Sequence, residues 1–143
     1  GPEYYKRSAG QDKKFLPECQ DKQIQLCERS EVVNAYDNSI VATDSLLAAV
    51  IHRLNRQHNN QTALLYLSDH GESLGENGIY LHGLPYWMAP KAQTQVPMLW
   101  WMSDAYSSAQ QLKAECMAHR TTQKLSHARE VTFKSTGLIS FYN

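Results

Sequence analysis

Between residues 31 and 57, positions suited to a core recur at alternating steps of three and four: Val33, Tyr36, Ile40, Thr43, Leu47, Val50 and Leu54. That spacing predicts one long helix with a single buried stripe. Ser30 stands before it with a side-chain oxygen able to cap the first turn, and Glu31 places a negative charge at the positive end of the helix dipole. The polar run "RQHNNQ" ends the pattern. Two short, unbroken apolar runs follow, "TALLYL" at 62–67 and "VPMLWWM" at 96–102. Runs that do not alternate read as strands buried on both faces, as in a parallel sheet covered by helices. Pro97 lies near the start of the second run, where a missing N–H is tolerated. Residues 104–119 predict a shorter helix beginning at Ser103. The succession of helix, strand, loop, strand and helix is that of an α/β fold.

The flanks carry less pattern. Residues 1–29 are polar and irregular, and "TTQKLSHAREVTFKSTGLISFYN" at the other end has no clear period. Cys19 and Cys27 sit in the turn-prone "PECQDKQIQLCE". A disulfide there would supply order that core packing does not, worth about 2 to 3 kcal/mol for so short a loop. Two free thiols in a reducing compartment fit the same residues. If Cys19 and Cys27 pair, Cys116 is left as a free thiol or with a partner outside this chain.

Composition narrows the function classes. A chain of 143 residues fits one domain. Lys plus Arg equals Asp plus Glu at 14 each, and no basic run stands out, which argues against nucleic acid as a partner. No apolar run reaches the ~18 residues of a membrane span; "SIVATDSLLAAVI" is broken by Asp44. The start lacks the charged and apolar regions of a signal peptide, and Gly1-Pro2 reads either as a tag-removal scar or as native sequence.

The loop between the two apolar runs, "YLSDHGESLGENGIYLHG" at 66–83, concentrates the chemistry. Asp69 and His70 fall just past the end of the first run, where loops of α/β sheets gather ligands. A carboxylate beside an imidazole suits Zn²⁺, which binds both at ~2.0 to 2.2 Å. His82 lies too far along the chain for the helical i, i+4 zinc spacing, so the glycine-rich loop must fold back if His82 is to share the site. Plainer roles exist for each residue: Asp69 as a cap, Glu72 and Glu76 as solvated carboxylates, His82 as a surface imidazole. A catalytic zinc keeps three protein ligands and an open position, and group transfer needs a nucleophile nearby. Ser68 and Ser73 flank the ligands, but neither has an adjacent base or helix-entry motif.

The wording of the loop carries more than its composition. "SDHGESLGENGIYLHG" resembles the signature of the lipid A phosphoethanolamine transferases, the group that includes the mobile colistin-resistance enzymes. The resemblance extends through "NAYDNSIVATD", "TALLYLSDHGESLGENGIYLHGLPYWMAP" and "QVPMLWW", and back to "GPEYYKR" and the cysteine loop. It implies an α/β fold of the alkaline phosphatase and sulfatase type, with a central, mainly parallel sheet flanked by helices. Residues 1–127 are then the C-terminal portion of a periplasmic catalytic domain, and 128–143 a divergent tail.

The resemblance also implies an activity: zinc-dependent transfer of phosphoethanolamine from phosphatidylethanolamine to lipid A, through a covalent intermediate on a threonine. The setting implied is the periplasmic face of the Gram-negative inner membrane, with a tether of N-terminal membrane helices, and the outcome is polymyxin (colistin) resistance. Asp69 and His70 look like zinc ligands, His82 like the histidine that binds a second zinc or the donor phosphate, and Glu72 like a substrate contact. The family's threonine nucleophile and an upstream glutamate ligand precede the matched region, so this chain alone is expected to be inactive. The family has a histidine just before its GP-x-YY segment, which makes Gly1-Pro2 native sequence cut one residue after it. After "LSH" the family continues with Asp-Asn and an apolar helix, and "AREVTFKSTGLISFYN" has neither. A frameshift or a chain boundary would produce that departure. A periplasmic setting implies a Cys19–Cys27 disulfide, with Cys116 separated from its partner. Two other readings stand beside this one: a metal-binding module without catalysis, and a sulfatase or phosphodiesterase relative on the same fold. The "GESLGENG" wording favours the transferase.

Overall fold

A computed structural model describes residues 2–112. It contains helices α1 (Arg29–Asn55), α2 (Lys91–Thr94) and α3 (Asp104–Ala109), and strands β1 (Ala63–Leu67), β2 (Ser73–Leu74), β3 (Tyr80–Leu81) and β4 (Met98–Met102). The chain divides into two units, Gly1–Leu46 with Gly71–Thr94, and Leu47–His70 with the chain from Gln95. Cys116 and the tail expected at 128–143 lie outside the described residues.

The first unit is built on the start of α1, which begins two residues before the expected 31. Glu28, not Ser30, caps it: its carbonyl accepts from the Glu31 and Val32 amides at 2.9 and 3.2 Å. The Glu31 carboxylate in turn accepts from the Glu28 amide at 3.3 Å, the reach-back of a capping box. The buried face is rotated by one residue from the expected stripe. Val32, Ala35, Asn38 and Ser39 are buried, whereas Val33, Tyr36 and Ile40 are only partly so. Leu47 is buried as expected and Val50 is exposed. A stripe traced through apolar residues passes over Asn38, a polar residue that belongs to the core side because it organises the segment before the helix.

That segment, irregular in sequence, folds as three 3₁₀ turns, Tyr4–Lys6, Gly10–Asp12 and Ile24–Leu26. Asn38 Oδ1 accepts from the Lys14 and Phe15 amides at 2.7 and 2.9 Å, and Nδ2 donates to Phe15 O and Glu18 Oε1. The cost of burying an amide is offset because each of its polar atoms is used. Tyr4, Cys19, Ile24, Val32 and Ala35 form the small core. The Cys19–Cys27 disulfide is present, and the Cys19 amide donates to Glu31 O at 3.0 Å, tying the cysteine loop to α1.

β2 and β3 form a short antiparallel hairpin, pairing Ser73 with Leu81 and Leu74 with Tyr80. Gly75 turns the chain at φ +101°, and a Cβ there would lie 3.0 Å from the Tyr80 ring. The left-handed backbone favours glycine at this corner, and any larger residue would also have to displace the Tyr80 ring.

In the second unit β1 and β4 are the two apolar runs, and they pair from Ala63↔Met102 to Leu67↔Met98. The pairing is antiparallel, where the sequence suggested neighbours in a parallel arrangement. Unbroken hydrophobicity reports what covers the faces of a strand and is silent on its direction, and antiparallel strands occur within otherwise parallel sheets. The expectation of burial on both faces also needs correction: Leu65 and Leu67 are about 60% accessible and alternate with partly buried Leu64 and Tyr66. Ser103 caps α3 as expected, its Oγ accepting from the Tyr106 amide at 3.2 Å. That helix ends at Ala109, with Gln111 at φ +53° just beyond, and the rest of the expected helix from 113 to 119 lies outside the described residues.

Candidate functional site

β1 delivers Ser68, Asp69 and His70 past its C-terminal end. Ser68 Oγ donates to the His70 carbonyl at 2.9 Å, and Asp69 Oδ1 accepts from the His70 amide at 3.1 Å. Asp69 therefore braces its own turn instead of capping a helix. Its other oxygen lies 3.7 Å from His70 Nε2, and its side chain is 88% accessible. A short, exposed carboxylate thus stands beside an imidazole at a strand end.

The first unit holds Glu72 and His82. Gly71 comes first, and its amide donates to Gln93 O at 2.9 Å. A Cβ at Gly71 would overlap the Ala92 carbonyl oxygen, so only glycine lets the two backbones approach so closely. Ser73, fully buried, takes a hydrogen bond from Gln93 Nε2 at 2.9 Å, fixing the same approach through side chains. Between these two anchors Glu72 points inward, with its side chain 5% accessible.

The hairpin brings His82 back to Glu72, the folding back expected of the loop. His82 Nδ1 lies 3.0 Å from Glu72 Oε1. Leu81 at φ +63° and Gly83 at φ +106° set the direction in which the imidazole leaves the strand. Glu72 Oε2 is buried without a hydrogen-bond partner, and so is Tyr4 Oη. Burial pushes the Tyr4 phenol well above its ordinary range, and the charge of Glu72 and hydrogen bonding with it push it further, with Arg7 opposing. The phenol and the Glu72 carboxylate are therefore neighbours.

Glu76 is structural. Its carboxylate accepts from the Leu74 amide at 2.7 Å and pairs with Arg29 Nη2 at 3.0 Å. Burial raises its carboxyl, but the Glu76 and Leu74 amides and Arg29 together hold it below the usual range.

Within the first unit, Glu72 and His82 offer an oxygen and an imidazole nitrogen. The donor types fit a divalent metal ion that accepts mixed nitrogen and oxygen ligands, and an unpartnered buried carboxylate oxygen is a group that a cation would satisfy. Tyr4 was not singled out from the sequence. Its signal lay only in "GPEYYKR", which shares the family wording without a spacing that points to a site.

The chain is similar to known proteins over most of its length. A family model described as Sulfatase matches residues 1–129. Phosphoethanolamine transferase EptA of Escherichia coli (strain K12) is 50% identical over 119 residues, covering 82% of this chain and 22% of the relative. Phosphatidylethanolamine transferase Mcr-1 of Escherichia coli is 47% identical over 102 residues, covering 71% and 19%. The crystal structure of the soluble domain of lipooligosaccharide phosphoethanolamine transferase A from Neisseria meningitidis superposes with a TM-score of 0.84 at 39% identity, over 87% of this chain and 37% of that one. The chain spans about a fifth of the length of the curated relatives it matches. With a family match over most of its residues, a fold shared with that soluble domain and a loop in which a buried glutamate meets a histidine, the chain belongs to the sulfatase family, and its relatives there are phosphoethanolamine transferases.

Proposed function

We propose that this chain is the C-terminal part of the catalytic domain of a zinc-dependent transferase, one that moves phosphoethanolamine from phosphatidylethanolamine to lipid A. The observation that carries the reading is the Glu72–His82 pair: a buried carboxylate holding imidazole Nδ1, in a loop that lies within the residues matched by the family model. A carboxylate at one ring nitrogen selects the tautomer and fixes the ring plane, the usual support of an imidazole that works on a metal or a phosphate. In this reading Asp69 and His70 hold zinc, and His82 meets a second zinc or the donor phosphate. Glu72 serves His82 and lies within reach of the substrate. Bound zinc would polarise the phosphoryl oxygens and offset their charge. The threonine nucleophile is supplied by sequence outside these residues. The whole protein acts at the periplasmic face of the inner membrane, where lipid A bearing phosphoethanolamine loses negative charge and binds polymyxins less well.

The test is a chimera of the Escherichia coli EptA in which residues 1–127 of this chain replace the matched segment, assayed with fluorescent phosphatidylethanolamine. Zinc-dependent transfer is expected. His82→Ala is expected to lower it at least about a hundredfold, the scale on which loss of a metal or phosphate ligand acts. The 143-residue chain alone is expected to show no turnover. Robust transfer by that chain alone, or a chimera indifferent to His82→Ala, would overturn the assignment.

A further inference from the structure

From His82 to Met88 the chain is exposed without interruption. Tyr86, Trp87 and Met88 are consecutive within it, Trp87 is 83% accessible, and Leu84 precedes them. Single apolar residues in water are ordinary, but a contiguous set of large ones marks a contact surface. This set is also held in shape. The Met88 and Ala89 amides both donate to Pro85 O, at 2.8 and 2.9 Å, closing a turn across the exposed residues. Before the turn stands the β2–β3 pairing. After it, Gln93 is pinned to Ser73 through its side chain and to Gly71 through its carbonyl.

The charge pattern says what this surface suits. No aspartate or glutamate occurs between Glu76 and Asp104, and Lys91 is the one lysine or arginine in that interval. We infer that residues 84–88 form a wedge that seats this unit in the headgroup region of a phospholipid bilayer. Tryptophan and tyrosine, with an apolar ring and a polar handle, favour that depth, and methionine adapts to irregular apolar surroundings. A stretch free of carboxylates meets no repulsion from anionic headgroups, and Lys91 is attracted to them. The wedge begins two residues after His82, so it would bring a bilayer surface to the imidazole assigned above to a phosphate. The choice of a lipid surface over another apolar partner rests on the transferase reading.

The test uses the full 143-residue chain and co-flotation with vesicles of phosphatidylethanolamine and phosphatidylglycerol. The parent chain is expected to float, with its tryptophan emission shifted to the blue. The double variant Trp87→Ser, Met88→Ser is expected to lower the partition coefficient about tenfold or more, with an unchanged far-ultraviolet circular dichroism spectrum because both side chains are exposed. Leu46→Ser, an equally exposed leucine on α1, is expected to change it less than about twofold. Partition should persist when phosphatidylcholine replaces phosphatidylethanolamine, because the wedge reads the interface and not one headgroup. Failure of the parent to float, equal partition of parent and double variant, or a concentration-dependent dimer abolished by the double variant would overturn the wedge. Intact partition with a chimera inactive in transfer would refute the enzyme reading alone, and an active chimera with partition insensitive to the double variant would refute the wedge alone.

Discussion

Asn38→Ala tests how the first unit is held together. The side chain is fully buried on α1 and makes four hydrogen bonds, to the Lys14 amide, the Phe15 amide and carbonyl, and the Glu18 carboxylate. Each neutral bond is worth about 0.5 to 1.5 kcal/mol net, and one to a charged group about 1.5 to 3, so losing all four would cost about 3 to 7 kcal/mol if no partner recovered. Lys14 and Phe15 are exposed residues, and water can reach their amides once the asparagine is gone. The lower end applies, about 3 kcal/mol. Urea unfolding followed by circular dichroism should show a lower midpoint at an unchanged slope. Asn38→Leu, which keeps most of the volume, should lose nearly as much, because bonds and not space are at stake. Asn38→Asp should do no better than alanine near neutral pH, because it sets a second carboxylate against Glu18. A loss below about 1 kcal/mol for Asn38→Ala would refute the argument that this residue organises the N-terminal segment.

Further outcomes follow from single contacts. Gly71→Ala should lower stability by about 1 to 3 kcal/mol, as overpacking against backbone does, and should speed hydrogen exchange at the Gly71-site amide now bonded to Gln93. Reducing the Cys19–Cys27 disulfide, whose cysteines are 8 residues apart, should cost about 2 to 3 kcal/mol in denaturant unfolding; no change would mean that the loop is held by other means. Glu76 has a folded-state pKa below its ordinary value of 4.5, so its contribution is present above that value and fades as pH falls through the lower, folded one. Glu76→Gln should therefore be less stable than the parent at neutral pH and converge with it in acid. A gap that persists at pH ~2 would contradict the linkage. The side chain is 41% accessible, so solvent screening keeps the expected difference small.

The elements were legible in the sequence where pattern and environment coincide. α1 was read from its period, β1 and β4 from unbroken apolar runs, and the Ser103 cap from its side-chain chemistry. What escaped depends on groups that periodicity does not weigh. The buried face of α1 turned by one residue because Asn38 earns its place by bonding. The direction of the β1–β4 pair escaped because hydrophobicity does not encode it. Glu28 displaced Ser30 at the helix start because Glu31 reaches back to it, a bond that depends on where the chain enters.

The site divides along the same line. Neighbours in sequence were read correctly as neighbours in space: Asp69 beside His70 needed only one peptide bond. The meeting of Glu72 and His82 needed the hairpin, and with it a glycine at 75, a left-handed Leu81 and a close approach at Gly71 that no spacing rule contains. Burial then decides what Glu72 can do. Seen in sequence, it is one of two similar glutamates four residues apart, equally suited to solvent or substrate. In the fold the two part company. Glu76 spends its oxygens on an amide and an arginine at the surface, whereas Glu72 spends one on His82 and keeps the other buried and unmatched beside Tyr4. Of the two glutamates, Glu72 is therefore the one set inside the fold, between the Tyr4 phenol and the His82 imidazole.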